Sequence, residues 1–226
     1  MCGRFNLIAT KPQIMEHFGL QRLPDYQPDY NIPPGQKILN VVRLEDGSNK
    51  AVNLHWGLIP SWSKDRKIAG RLINARAETL TEKPSFRNAY RHRRCLIPAT
   101  GFFEWQTIET GKRPYHIHQP ECALFAFAGL WEHWEHQRET IYSCTIITTA
   151  ANDKIATIHE RMPVIITHDL YNRWLDKKNT AVEMAEFLAA DGYKTMLLTP
   201  ISSRVNNPMH NDAECLAGIN YSSVVS

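Results

Sequence analysis

The sequence predicts an α+β fold, a single domain around a curved, mainly antiparallel β-sheet or barrel with a few peripheral helices. Nine short segments are rich in β-branched and aromatic residues. Helix signals are fewer, and they do not alternate with the strands as a parallel doubly wound sheet requires. No internal repeat, low-complexity tract or Gly/Ser linker divides the 226 residues, a length that suits one core.

In chain order, Thr10 and Pro12 open a short helix that Gly19 closes. Ile38–Leu44 and Ala51–Ile59 read as strands, and Phe86–Arg93 as a helix. Cys95–Pro98, Gly101–Gln106 and Pro114–His118 follow as strands. Thr107–Arg113 is a hairpin loop between the last two, with Gly111 in a left-handed conformation. Ala123–Leu130 and Ile141–Thr149 are strands, Asn152–Ile158 a short helix and Pro163–Ile166 another strand. His168–Leu175 reads as a helix. Thr180 and Glu183 form a capping box for a helix over Ala181–Ala190, with Gly192 after it. Thr195–Leu198 is the last strand.

At 43% hydrophobic and 22% charged residues the chain is not a disordered one. Its longest run without polar side chains, Ala123 to Trp131, is nine residues, against the ~20 of a spanning helix. Arg4, Lys11 and Glu16 interrupt the first twenty residues, so no signal-peptide core is expected. These features predict a soluble, cytoplasmic protein. Five widely spaced cysteines include no C-x-x-C pair, so a structural zinc site has no support. Cys95, Cys122 and Cys144 lie in apolar runs and read as small buried hydrophobes.

Charge is uneven. Between Lys64 and Arg94 ten Lys/Arg face three acids, which leaves sixteen basic against twenty acidic residues elsewhere. A basic segment on a mildly acidic background points to a polyanion partner, with a solvated helix face as the alternative.

Cys2 is the first candidate for chemistry. Removal of Met1 would leave an α-amine titrating near ~8 beside a thiol near ~8.5. The thiolate could then attack a carbonyl, with the amine as its base. Alternatively, the amine could condense with an aldehyde and the thiol close the imine into a thiazolidine. Arg4 puts a fixed cation two residues away. In Gly101–Trp105, strand alternation sets Phe102, Glu104 and Gln106 on one face and Phe103 and Trp105 on the other. A carboxylate among aromatic residues is either paired or raised in pKa, as proton transfer near neutral pH requires, unless Glu104 lies on an edge in water. His159 and Arg161 could supply a proton shuttle and an anion clamp, or be surface residues. Asn74 could orient a polar reactant while Arg76 holds a phosphate. Two histidine pairs, His116 with His118 and His133 with His136, could each give two metal ligands, but no third ligand lies near in sequence, so no metal is assigned. The common nucleotide-binding and hydrolase fingerprints are absent.

Eight motifs occur in order: Met1-Cys2-Gly3-Arg4-Phe5, Tyr30-Asn31-Ile32-Pro33-Pro34-Gly35, Trp56-Gly57-Leu58-Ile59-Pro60-Ser61-Trp62, Ile73-Asn74-Ala75-Arg76-Ala77-Glu78-Thr79, Arg94-Cys95-Leu96-Ile97-Pro98-Ala99, Gly101-Phe102-Phe103-Glu104-Trp105, His159-Glu160-Arg161-Met162-Pro163 and Val205-Asn206-Asn207. Together they resemble the SOS-response-associated peptidase family, the abasic-site processing proteins, from residue 1 to about 207. The tail after Cys215 matches none of these motifs.

The resemblance implies binding to single-stranded DNA that contains an abasic site; no cofactor is assigned, no membrane partner is expected from the short apolar runs, and a monomer is the default expectation. It further implies a covalent thiazolidine cross-link through Cys2, with autocatalytic Met1 removal, cross-link reversal and β-elimination as side activities. It would make Cys2 the nucleophile, Asn74 a positioning group, Glu104 a proton shuttle and His159 a group acting on the sugar hydroxyl or imine. Arg4, Asn31, Pro34, Arg76 and Arg161 would contact DNA, and Trp62 would stack on a base as a wedge. Ser63 follows Trp62 where some relatives have a second bulky residue. A glutamine-hydrolysing N-terminal-nucleophile enzyme, which needs no large basic surface, and a non-enzymatic single-strand binder are the rival readings.

Overall fold

The computed structural model describes residues 2–188 and 195–219. Its centre is a closed five-stranded ring. β3 (Lys37–Arg43) pairs antiparallel with β4 (Asn49–Trp56) over its whole length, and with β6 (Arg94–Ala99) on its other edge. β6 pairs antiparallel with β9 (Phe125–His136), and β9 with β10 (Glu139–Ala150). The ring closes where β10 runs parallel to β4 at Ser143–His55 and Cys144–Trp56. Beyond this point β10 carries β5 (Asn74–Arg76) in parallel on the edge that β4 leaves, and β11 (Arg161–Pro163) antiparallel on the opposite edge, where the pairing with β9 has ended; Thr148 pairs with both. β12 (Ile165–Ile166) pairs with β9.

A second sheet leans on this ring. Its strand order is β13 (Leu197–Pro200), β8 (Gly111–His118), β7 (Gly101–Ile108), β1 (Phe5–Leu7) and β2 (Asp29–Ile32). β7 alternates as expected: Phe102 enters the main core, while Phe103 packs with Ile201, Val205 and Cys215 in a smaller cluster on the other face. Gly101 is required because a Cβ there would lie 2.1 Å from Nε2 of buried His116.

The nine expected strands are all present, with shifted ends. The 163–166 run is split between β11 and β12, and β13 starts two residues late. β1, β2 and β5 are additional; at three or four residues each they are too short to show a period. The β9–β10 hairpin extends well past Leu130 to a two-residue turn at Gln137 and Arg138, whose φ values of 46° and 69° are left-handed. Such turns usually carry Asn or Gly, so this one gives no sequence signal. The β7–β8 loop is also tighter than expected, since Ile108 pairs directly with Gly111.

Helix α1 (Lys11–Phe18) has a full capping box between Thr10 and Gln13, and Gly19 closes it with φ 60°. α2 (Arg87–His92), α3 (Asp153–Ala156, capped by Asn152) and α4 (Tyr171–Leu175) lie where the sequence puts them. α5 (Ala181–Ala185) has its Thr180–Glu183 box and continues as a 3-10 turn to Leu188; residues 189 and 190 and Gly192 lie outside the described residues. Cys95 and Cys144 are buried as expected, and the Cys122 side chain lies outside the description. Among the described residues no helix is long and apolar enough to cross a membrane.

Candidate active site

β1 brings the start of the chain into the second sheet, beside its central strand β7. Phe5 pairs with Phe102, and the Phe103 N–H donates to the Arg4 carbonyl at 2.9 Å. Residues before Phe5 therefore run along β7 toward Glu104. Cys2 is fully buried there. The Asn74 amide Nδ2 donates to the Cys2 carbonyl at 2.9 Å, while Asn74 Oδ1 is buried and has no hydrogen-bond partner among the described residues. β5 holds Asn74 in place through its register with Ile146 of β10.

Burial, and then the neighbouring Glu104 carboxylate, push the Cys2 thiol far above neutral. The thiolate fraction expected of an exposed aminothiol is absent in this state, so any reaction of the sulfur needs a base. Glu104 fits that need. It is 3% exposed on β7, and burial pushes its carboxyl up to about 7 against the opposing pull of nearby positive charge, Lys112 included. This is the buried member of the two alternatives left by the sequence.

His159 follows α3, its N–H held by the Ile155 carbonyl at 2.9 Å. Its ring Nδ1 lies 2.9 Å from the Arg161 N–H and 3.2 Å from the Arg161 carbonyl. A neutral ring can accept from the first and a protonated ring can donate to the second, so both states are supported. Burial is the main cause that lowers the pKa of His159. Glu104, His159, Trp105, Lys112 and Asn206 line one open cleft of about 470 Å³. Lys112 lies in none of the sequence motifs and reaches this place through the β7–β8 hairpin, while Trp105, the last residue of the Gly101–Trp105 motif, closes the wall with an Nε1–H bond to Asn206 Oδ1 at 2.7 Å.

β10 acts as a ruler for the arginines. Asn74, Arg76 and Arg161 pair with Ile146, Thr148 and Ala150, successive residues on one face of the strand. Arg76 is exposed. Arg161 instead forms a two-pronged ion pair with Glu78 at 2.5 and 3.0 Å and donates to the Thr148 carbonyl at 2.7 Å. Glu78 therefore occupies the guanidinium expected to clamp a phosphate, and the Arg161 hydrogen bonds hold the Glu78 carboxyl below the usual range. Arg4 is half-buried and donates to Asn31 Oδ1 at 2.8 Å and to the Val205 carbonyl at 2.9 Å. Asn31 is 1% exposed, and its amide donates to the carbonyls of Val205, Asn207 and His210. It stands behind the surface and ties down the 205–210 segment. Pro34 is half-buried in a turn that Gly35 anchors to the Trp56 carbonyl.

Trp62 is 58% exposed on a braced loop. Ile59 N–H donates to the Ser143 hydroxyl and buried Trp134 Nε1 to the Ser63 carbonyl, which fixes both sides of the exposed ring. Of the ten basic residues from Lys64 to Arg94, eight are exposed. The other two are structural. Arg93 pairs with Glu132 at 2.8 Å, and Arg94, 5% exposed, donates to the carbonyls of Tyr90, Trp174 and Asp176.

The histidine pairs are engaged within the fold. His116 and His118 stack at 4.4 Å, with His116 Nε2 on Asn6 and His118 Nε2 on Thr199. His133 and His136 fall on opposite faces of β9, one beside Tyr142 and the other beside Trp134, so they cannot converge on one ion.

The family model for the SOS response associated peptidase (SRAP) matches residues 1–208. The chain belongs to this family. It is 45% identical to abasic site processing protein YoaM of Bacillus subtilis, over 98% of this chain and all of that protein. It is 32% identical to abasic site processing protein HMCES of Xenopus tropicalis, over 86% of this chain and 67% of that one. A crystal structure of a Bacteroides thetaiotaomicron protein superposes with a TM-score of 0.86 at 26% identity, covering 97% of this chain and 100% of that one. As in the SRAP model, the match begins at residue 1, so the buried Cys2 with its Asn74, Glu104 and His159 surroundings lies inside the shared region.

Proposed function

We propose that this protein captures abasic sites in single-stranded DNA as a covalent thiazolidine on Cys2. The observation that carries this reading is the convergence on Cys2 of an amide that holds its carbonyl, Asn74, and a carboxyl that titrates at about 7, Glu104. Membership of a family whose relatives are named for abasic site processing supplies the substrate.

Hydrolysis of the Met1–Cys2 bond frees the Cys2 α-amine. The amine adds to the aldehyde carbon of the ring-opened sugar, and the aldehyde oxygen leaves as water, giving an imine. The sulfur then adds to the imine carbon while its proton passes to nitrogen, and the five-membered ring closes. The net change is aldehyde plus aminothiol to thiazolidine plus water, with no oxidant and no cofactor. Glu104 suits both halves: near neutral pH it is present as acid to protonate the departing oxygen and as base to take the thiol proton. Asn74 Oδ1 offers an acceptor to the incoming sugar or amine. His159 serves the sugar hydroxyl, and the same groups run in reverse would release the link. Arg4 and the exposed lysines and arginines of the Lys64–Arg94 stretch, Arg76 among them, attract the phosphates, and Trp62 stacks on a flanking base.

Intact mass after incubation with an oligonucleotide carrying one abasic site tests the reading. The expected product has lost Met1 and gained the mass of the DNA less one water, without a reducing agent, and Cys2→Ala yields none. DNA binding by the mature chain with no adduct would leave a single-strand binding module instead.

A further inference from the structure

We infer that a second groove, outside the cleft at Cys2, is a track for undamaged single-stranded nucleic acid; the inference rests on the reading that the chain binds such strands. The groove arises from the closure of the ring. β4 pairs with β10 only at His55 and Trp56, so toward residue 50 the two strands part and leave a gap between the β3–β4 and β9–β10 hairpins. The gap is filled by two adjoining clefts of about 570 and 640 Å³, which share Asn53 and Tyr142.

The lining has the two components that a strand of nucleic acid requires. Tyr142 is 50% exposed, and its ring lies beside those of Trp131 and His133, at 6.4 and 4.9 Å, which makes an aromatic shelf. Leu44 and Val52 extend the apolar wall. Six cations rim the groove, Arg43, Lys50 and Lys177 at one end and Lys37, Arg66 and Lys67 at the other. Among the described residues, the only carboxylates in the lining are Glu45 and Glu139, and Glu139 already pairs with Arg66.

Continuity decides between occupants. Ile59, Arg66 and Lys67 of the groove belong to the braced loop and the turn on either side of exposed Trp62. A strand that leaves the lesion past Trp62 meets these cations next and the Tyr142 shelf after them. Bases would stack on the shelf, and phosphates would follow the rim. An acidic extended peptide could use the same apolar floor, but nothing joins such a peptide to the Trp62 loop.

Two measurements test the track. The first is binding of undamaged oligothymidylates of increasing length to the wild-type protein, Tyr142→Ala and the double variant Lys50→Glu/Lys177→Glu. Wild-type affinity is expected to rise with length until the groove is filled, with a steeper salt dependence for long strands than for short ones. Tyr142→Ala is expected to weaken the long strand about tenfold, within the range for loss of one base–aromatic stack, and the double variant to flatten its salt dependence. Neither should alter binding of a strand too short to pass Trp62. The second is cross-linking of a short abasic strand, expected to be the same in all three proteins. Loss of cross-linking with the length effect intact would overturn the reading of Cys2 alone. Long-strand binding unchanged in both variants, or displaced by a short acidic peptide, overturns the track.

Discussion

The Asn74 side chain donates from Nδ2 to the main-chain carbonyl of Cys2 across 2.9 Å, bridging 72 residues of sequence. This one bond pins the peptide unit that follows the reacting residue, and so anchors the Cα that bears its α-amine and thiol. Asn74→Ala should keep the fold, because β5 is held by main-chain pairing with β10, yet slow the cross-link. A misplacement of about 1 Å can cost about a hundredfold in rate, so a loss of 10- to 100-fold is expected. Single-turnover cross-linking at saturating DNA measures it; an unchanged rate removes Asn74 from the site.

Glu104 makes a signed prediction about stability. Its carboxyl sits at about 7 in the fold, against 4.5 for a free side chain, chiefly because burial disfavours the charge. The native state thus holds the proton more tightly than the unfolded chain. Its favourable contribution is complete below pH 4.5 and is lost as pH rises through about 7. Relative to the wild type, Glu104→Gln should gain stability across that window, by the order of 3 kcal/mol at its upper end. Urea unfolding of both proteins from pH 4 to 8 checks the sign. The same variant should lose the rise in cross-linking rate through neutral pH.

The strands and the main helix starts were legible because they rest on local signals: β-branched runs, Thr10 with Pro12, the capping box at Thr180, and the alternation that separates Phe102 and Glu104 from Phe103. What escaped depends on partners distant in sequence. The resemblance makes Asn31 a DNA contact, but its side chain is buried and its amide donates to three carbonyls of residues 205–210. Arg161 reads as an open cation until the ends of β10 and β5 bring Glu78 against it. Arg94 belongs to the basic run by composition and to the core by its carbonyl cage. The Cys2 thiol was assigned the reactivity of an exposed group; burial reversed that, and only the packed structure supplies the burial.

Trp62 offers a clean separation of binding from folding. Its ring is 58% exposed, while the loop is held by Trp134 and Ser143 rather than by Trp62 itself. Trp62→Ala should leave the melting temperature nearly unchanged, since exposed substitutions stay within about 0.5 kcal/mol. Affinity for single strands should fall by about 1–3 kcal/mol, the worth of one base stacked on an aromatic ring. Fluorescence anisotropy with an undamaged oligonucleotide reads this directly, and an unchanged affinity would exclude stacking at Trp62.

The Arg161–Glu78 pair gives a prediction of opposite sign for its two members. Glu78 is half exposed, and its carboxylate occupies the guanidinium that a phosphate would use. Glu78→Gln should therefore tighten DNA binding and steepen its salt dependence by about one phosphate contact, because a cation is released from an internal partner. Arg161→Gln should weaken binding and reduce the slope. The stability cost of losing the pair should stay near 1 kcal/mol or less, since one partner faces water. Parallel salt titrations of both variants test it. Equal slopes in wild type and both variants would mean that Glu78 keeps Arg161 in the bound state too, and that the phosphate clamp is built from Arg76 and the exposed lysines instead.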